Sequence, residues 1–343
     1  MPAAAATAVH DDQLVAPPVD EGKRLWRGIA SLVLLVVLVG ALLLAVPGLG
    51  EVRERLREVA PGWIVLAVVL ELLSCLGYVL AFQHVFWRVP RRFAARVALS
   101  EMAFGAVLPA GGAGGIAIGA YIVKAKGGPL GRFVQRSAVL FLLTSGVNAA
   151  TLGVAGILVA VGVLDAPGSP LYGLIPGIAG VGGVLLFARL PAFAARFPLG
   201  EEPGRARRWA HATAGVVSDA LKEIRHPTWR RAGALMYLWF DIAMLWVAFR
   251  AFGESMPVGA ITLAFLIGYL GNIVPIPGGI GALDGGLAAA LVLYGASATT
   301  AAVAVLVYHA LVLWIPTLLG TIAFLLVRRT LDEPIVLRDA PDA

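Results

Sequence analysis

The chain has 343 residues, 59% hydrophobic and 14% charged, with a formal net charge of +6. Its mean hydropathy of +0.86 excludes an ordinary soluble domain, because the apolar residues gather into long runs almost free of charge. The single cysteine, Cys75, excludes an internal disulfide framework and a thiolate-only metal site.

Residues 1–22, rich in Ala and Pro with mixed charge, predict a disordered cytoplasmic tail. Lys23, Arg24 and Arg27 lead into an apolar run at 29–46. No A-x-A-like cleavage site follows it, so it reads as a first membrane span and not a signal peptide. Runs at 63–87, 137–164, 171–188, 232–251 and 300–327 predict five more spans. A helix rises about 1.5 Å per residue, so such runs match a hydrocarbon core about 30 Å thick. Two further apolar stretches, 98–123 and 258–294, are interrupted by Pro109-Ala-Gly-Gly-Ala-Gly-Gly115 and Pro275-Ile-Pro-Gly-Gly-Ile-Gly281. The segment 189–231 carries nine Lys/Arg. Within it, Trp209, Val216, Val217, Leu221 and Ile224 recur at helical spacing beside Arg207, Arg208, Lys222 and Arg225. That pattern predicts an amphipathic cytoplasmic helix on anionic lipid. Residues 331–343 form a second cytoplasmic tail, and 23–330 one membrane domain.

Charge sets the orientation. If each interrupted stretch returns to the side it entered from, the cytoplasmic side receives 23 of the 27 Lys/Arg. That is a strong positive-inside bias. The expected fold is therefore an all-α polytopic membrane protein. It has six full transmembrane helices plus two re-entrant helical hairpins, 98–123 and 258–294, with both termini cytoplasmic. Counting charges does not distinguish a hairpin from two complete crossings. The arm 98–110 favours the hairpin, being only about 20 Å long as a helix.

The two interrupted stretches, "FGAVLPAGGAGGIAIGAY" and "LGNIVPIPGGIGALDGGL", each read as apolar arm, Pro/Gly tip, apolar arm. Entered from opposite sides, they form the signature of an inverted repeat. Proline lacks an amide and glycine weakens a helix, so the tips free backbone polar groups. At membrane depth such groups need protein or a polar cavity around them. The candidate binding residues are therefore Pro109, Gly111, Gly112, Gly114 and Gly115 in the first tip. In the second they are Asn272, Pro275, Pro277, Gly278, Gly279 and Gly281. Helices starting after the tips would turn amide dipoles toward an anionic group such as a lipid phosphate. Tight helix contact is the competing explanation of the glycines.

Ionisable residues inside apolar segments are few, and each needs a partner or a water-filled cavity. Asp284 follows the second tip by three residues, where it either serves a headgroup or satisfies free helix amides. His309, in the last span, can pair with a carboxylate or approach an anionic headgroup. Glu71, Glu101 and Asp241 are secondary candidates, with helix–helix hydrogen bonding as the competing role for Glu71 and Asp241. Trp26, Trp63, Trp87, Trp229 and Tyr237 read as interfacial anchors. No HExxH, CxxC, Walker A or dinucleotide motif occurs. The sequence predicts no enzyme activity, no cofactor, no metal and no nucleic-acid partner.

"VLPAGGAGG" at 107–115, "NIVPIPGGIGALDGGLAAALVLYGAS" at 272–297 and "VLVYHALVLWIPTLLGTIAFLL" at 305–326 carry a family likeness, with Tyr308, Trp314, Pro316 and Gly320 in the last. The chain resembles the lysylphosphatidylglycerol synthase transmembrane (flippase-like) family over about residues 25–330. That family includes the membrane flippase region of the multiple-peptide-resistance proteins. The resemblance implies lipid translocation by hairpins meeting around a headgroup cavity, without the aminoacyl-transferase domain of two-domain relatives. Members often carry Glu where Asp284 stands and Arg where His309 stands. Many have a Gly-Glu…Arg pair where this chain reads Gly115-Ile-Ala-Ile-Gly.

The leading expectation is a flippase or scramblase for a phospholipid, aminoacylated or zwitterionic, in the bacterial inner membrane. One alternative is a carrier for a polyprenyl-phosphate or glycolipid. Another is a non-transporting scaffold for an envelope enzyme. The expected partners are membrane phospholipids, with an envelope lipid-modifying enzyme as a further candidate.

Overall fold

The computed structural model describes residues 59–107, 112–197, 204–226, 228–270, 282–331 and 333–335. The predicted first span at 29–46, the tail at 1–22, most of the tail at 331–343 and the centres of both tips lie outside the described residues.

Every described element is helical. In chain order they are α1 (Pro61–Val85), α2 (Arg91–Val107), α3 (Gly112–Ala125), α4 (Leu130–Ala160), α5 (Leu171–Ala195) and α6 (Arg205–Arg225). After a 3-10 turn (Trp229–Ala232) come α7 (Gly233–Ala251), α8 (Val258–Tyr269), α9 (Ala282–Leu293) and α10 (Ala298–Arg328). Among the described residues, α1, α4, α5, α7 with its preceding turn, and α10 are long and apolar enough to cross a membrane. They coincide with five of the six predicted spans. The protein is a polytopic helical membrane protein.

Some boundaries move. α2 starts at Arg91, seven residues before the apolar stretch begins, and α4 starts at Leu130, seven residues before its run. Pro90 and Pro129 set these starts, since their carbonyls accept the first helical hydrogen bonds from Ala94 and Phe133. Arginines do not end a helix at a membrane surface, because their stems lie along apolar neighbours while the heads reach water. Arg91, Arg92 and Arg132 are accordingly exposed. α5 likewise continues past Arg189 to Ala195.

Close helix contacts use glycine where a side chain would not fit. A Cβ on Gly77 of α1 would lie 2.5 Å from the Tyr237 amide of α7, and one on Gly233 would lie 2.5 Å from the Gly77 carbonyl. Gly153 and Gly156 of α4 meet Gly173, Gly177 and Gly180 of α5 in the same way. These are small-residue seams of the kind membrane helices use in place of a hydrophobic driving force.

The contacts also sort the helix ends into two groups. At one end, His84 of α1 and Arg136 of α4 both reach Glu223 of α6, and Lys126, just after α3, donates to the Thr330 carbonyl beyond α10. At the other end, Tyr294 after α9 donates to the Tyr172 carbonyl of α5, and Thr300 of α10 reaches Glu254 before α8. Gly259 of α8 there packs on the Asp165 carbonyl after α4. The end of α3 therefore lies with the first group, and the start of α8 and the end of α9 with the second.

Two apolar cores follow this division. One gathers Val79 to Phe86 of α1 with Val97 of α2, Ile122 of α3, Phe133 of α4 and Val327 of α10. The other gathers Leu245 and Phe249 of α7, Ile261 and Phe265 of α8, Leu291 of α9 and Tyr308 of α10. α6 lays Ala214, Val217 and Ala220 on the bundle and leaves Trp209 exposed. Its polar side is tied down as well, since Gln135 of α4 donates to Asp219. α6 is thus a helix with part of its apolar face covered by protein.

Candidate functional site

Two groups of polar side chains lie inside the bundle. The first is the pair Asp284 and His309. Asp284 sits in the first turn of α9, just after the second tip, and His309 lies in the first half of α10. His309 Nδ1 is 2.8 Å from Asp284 Oδ1, and both side chains are partly exposed. The other ring nitrogen, Nε2, is buried and has no partner among the described residues. A histidine held by a carboxylate through one nitrogen presents the other in a fixed direction. The pair can therefore offer one hydrogen-bonding nitrogen and one remaining carboxylate oxygen to a polar group.

The second group starts from a stripe on α1. Glu71, Ser74, Cys75 and Tyr78 are spaced i, i+3, i+4 and i+7, which places them on one helical face. That face meets α7 and α2. Ser74 donates to Asp241 Oδ1 at 2.6 Å and approaches the Tyr237 carbonyl at 3.1 Å. Cys75 lies 3.6 Å from Glu71 Oε1. Tyr78 donates to Glu101 Oε2 of α2 at 3.2 Å. Tyr237, expected as an interfacial anchor, instead stacks edge-on against Tyr78 with ring centroids 5.4 Å apart. Tyr308, beside His309 in α10, feels the charges of Asp241 and Glu71. Tyr269 of α8 stands within the same field. The structure thus joins all three secondary candidates through one polar layer lying between the two apolar cores.

The tip residues divide. Pro109, Gly111, Asn272, Pro275, Pro277, Gly278, Gly279 and Gly281 lie outside the described residues. Gly112 is the first residue of α3. Gly114 and Gly115 are buried on α3. A Cβ on Gly115 would strike the Glu101 carbonyl of α2, and one on Gly119 would strike the Glu101 carboxylate. Gly115 therefore serves the close approach of the two arms. Gly119, which the sequence reading passed over, does the same.

The chain matches, over residues 29–320, the family described as the lysylphosphatidylglycerol synthase TM region. It belongs to that family. Comparison with curated proteins gave no match. The match takes in every helix from α1 to α9 and most of α10. The part of the family represented is its membrane region and not a catalytic one, and the family's membrane region is flippase-like. No group of three or more His, Cys, Asp or Glu able to hold a metal occurs among the described residues. The family match and the polytopic helical architecture support lipid translocation as the general function.

Sequence reasoning reached Asp284, His309 and the three carboxylates singly. It missed Ser74, Tyr78, Tyr269 and Tyr308 as members of a polar layer. The i, i+3, i+4, i+7 recurrence of polar residues in α1 was the signal available.

Proposed function

We propose that the protein moves a phospholipid with a cationic or zwitterionic headgroup between leaflets of the bacterial inner membrane, with both termini cytoplasmic. In this reading α2/α3 and α8/α9 are re-entrant hairpins of an inverted repeat, and the 29–46 run adds a sixth span. The end of α3 in one group, and the start of α8 and end of α9 in the other, support the inversion. The 23-to-4 distribution of Lys/Arg supports the sidedness.

The observation that carries the reading is the Asp284–His309 pair, joined at 2.8 Å and placed directly after the second tip. A phosphate meets the amides at the start of α9 and the imidazole. The Asp284 carboxylate repels a bare phosphate and attracts the ammonium of an ethanolamine or aminoacyl headgroup. The lipid then crosses as one repeat rocks against the other.

The test is flipping in proteoliposomes of three fluorescent lipids: phosphatidylglycerol, phosphatidylethanolamine and lysylphosphatidylglycerol. The two ammonium-bearing lipids should move faster than phosphatidylglycerol. Asp284→Asn should slow them by about tenfold, equivalent to about 1.4 kcal/mol of lost differential interaction. A folded Asp284→Asn protein with unchanged rates would reduce Asp284 to a helix-capping residue. Absence of movement for every lipid would favour a scaffold.

A further inference from the structure

We propose that Glu71 and Asp241 form a proton-binding site that couples the lipid movement to a proton gradient. This rests on the lipid-translocating reading above and adds its energy source.

The argument begins with what surrounds the two carboxylates. Glu71 is 2% exposed, Asp241 7% and Glu101 3%. Ser74, one turn from Glu71 on the same face of α1, donates to Asp241 Oδ1 at 2.6 Å, so both carboxylates belong to the seam between α1 and α7. Cys75 donates to Glu71, Ser74 to Asp241 and Tyr78 to Glu101, all of them neutral donors. Glu71 Oε2 and Glu101 Oε1 are fully buried and accept no hydrogen bond from the described residues. Two buried carboxylates in one seam are costly when ionised, and the general remedy is a bound proton.

Among the described residues, several neutral or acidic groups surround the pair. α1 itself contributes Cys75 and Tyr78. α7 contributes Tyr237, α2 contributes Glu101 through Tyr78, α8 contributes Tyr269 and α10 contributes Tyr308. α4 has no titratable residue between 137 and 160. Arg250 lies nine residues along α7 from Asp241, about 14 Å of helix, and His309 adjoins Tyr308 on α10, where it pairs with Asp284. A bound proton relieves the charge of the buried pair.

The location gives those protons leverage. The pair sits in the α1–α7 seam, where Gly77 and Gly233 hold the two backbones in contact. α1 precedes the first hairpin and α7 the second, so the seam lies between the two halves that must rock. With a proton on the pair, the seam stays closed. When that proton leaves for water, the repulsion of two carboxylates favours the opened arrangement. Nothing else is consumed: one proton is taken from water on one side, held on a carboxylate oxygen, and returned to water on the other. A buried pair that biases a two-state interface is the general form of a proton switch.

The experiment uses the full chain in proteoliposomes with fluorescent-tailed phosphatidylethanolamine as the probe. Flipping is measured with and without a pH difference of about one unit, a tenfold difference in proton activity. For the wild type, the ratio of the two rates should depart from one by about threefold or more. For Glu71→Gln and Asp241→Asn it should fall to about one, whatever the absolute rate. Asp241→Asn keeps an oxygen for Ser74, so it carries the test if Glu71→Gln does not fold. A wild-type ratio of one, with flipping present, overturns the coupling and leaves the lipid reading standing. So does a ratio that persists in both variants, or one set by a sodium gradient. Failure of every lipid to move overturns both readings together. An infrared carboxyl band from a buried protonated acid, lost in Glu71→Gln, is expected in parallel, and its absence in the wild type also overturns the site.

Discussion

The two hairpins share a sequence pattern and differ in where they put their carboxylate. In the first, Glu101 lies under the glycines of the opposing arm, against Gly115 and Gly119, and its carboxylate accepts a hydrogen bond from Tyr78 of α1. In the second, the arms meet at Gly268 and Leu287, and Asp284 stands clear of that contact to reach His309 of α10. The first carboxylate is enclosed by protein and the second is partly open with a basic partner. A repeated Pro/Gly pattern thus accompanies two pairs of short helices, while single side chains decide how enclosed the carboxylate of each pair is.

The sharpest way to break the comparison is to fill the first hairpin's contact. A Cβ on Gly119 would collide with the Glu101 carboxylate and lie 2.6 Å from the Phe133 ring. Gly119→Leu should destabilise the fold by about 3 kcal/mol, the upper range for overpacking a filled site. Thermal unfolding in detergent, followed by size-exclusion chromatography, reads the effect. A folded Gly119→Leu protein of ordinary stability would mean that the two arms do not pack as described. Gly320→Val, which drives a side chain into the Leu99 carbonyl and Ala103 of the same hairpin, should behave alike.

The second hairpin is tested by coupling and not by crowding. If Asp284 and His309 act as a unit, their substitutions will not add. Asp284→Asn and His309→Ala should each slow flipping of phosphatidylethanolamine. The double variant should be about as slow as the slower single one, an interaction energy of about 1 kcal/mol in a double-mutant cycle. Additive losses would separate the two residues functionally despite their 2.8 Å contact.

The same contrast explains what the sequence disclosed. Hydropathy located α1, α4, α5, α7 and α10, because a membrane span is a local property of about twenty residues. The Pro/Gly clusters marked where the short arms break. Helix starts at Arg91 and Leu130 escaped, since charge near a membrane surface does not stop a helix. Asp284 with His309 was within reach of reasoning, because the two lie on consecutive helices. Tyr78 with Glu101, and Ser74 with Asp241, join residues 23 and 167 positions apart. Only the packing of α1 against α2 and α7 brings them together. Tyr237 misled for the same reason: near a span end an aromatic reads as an anchor, yet this one turns inward to Tyr78.

The smallest expected effect separates backbone need from open space in the second hairpin. Gly285 follows Asp284 in the first turn of α9, is exposed, and a Cβ there would meet nothing within 4 Å. Its φ is not in the left-handed region. Gly119, in contrast, is enclosed. An alanine in a helix is favoured over glycine by about 1 kcal/mol, through lower backbone entropy in the unfolded chain. Gly285→Ala should therefore raise the unfolding temperature slightly and leave flipping within about twofold of the wild type, a change worth less than 0.5 kcal/mol. A stable Gly285→Ala protein with strongly reduced flipping would carry a different message. The open space beside Asp284 would then be occupied during transport, and the headgroup would pass against the backbone of α9 itself.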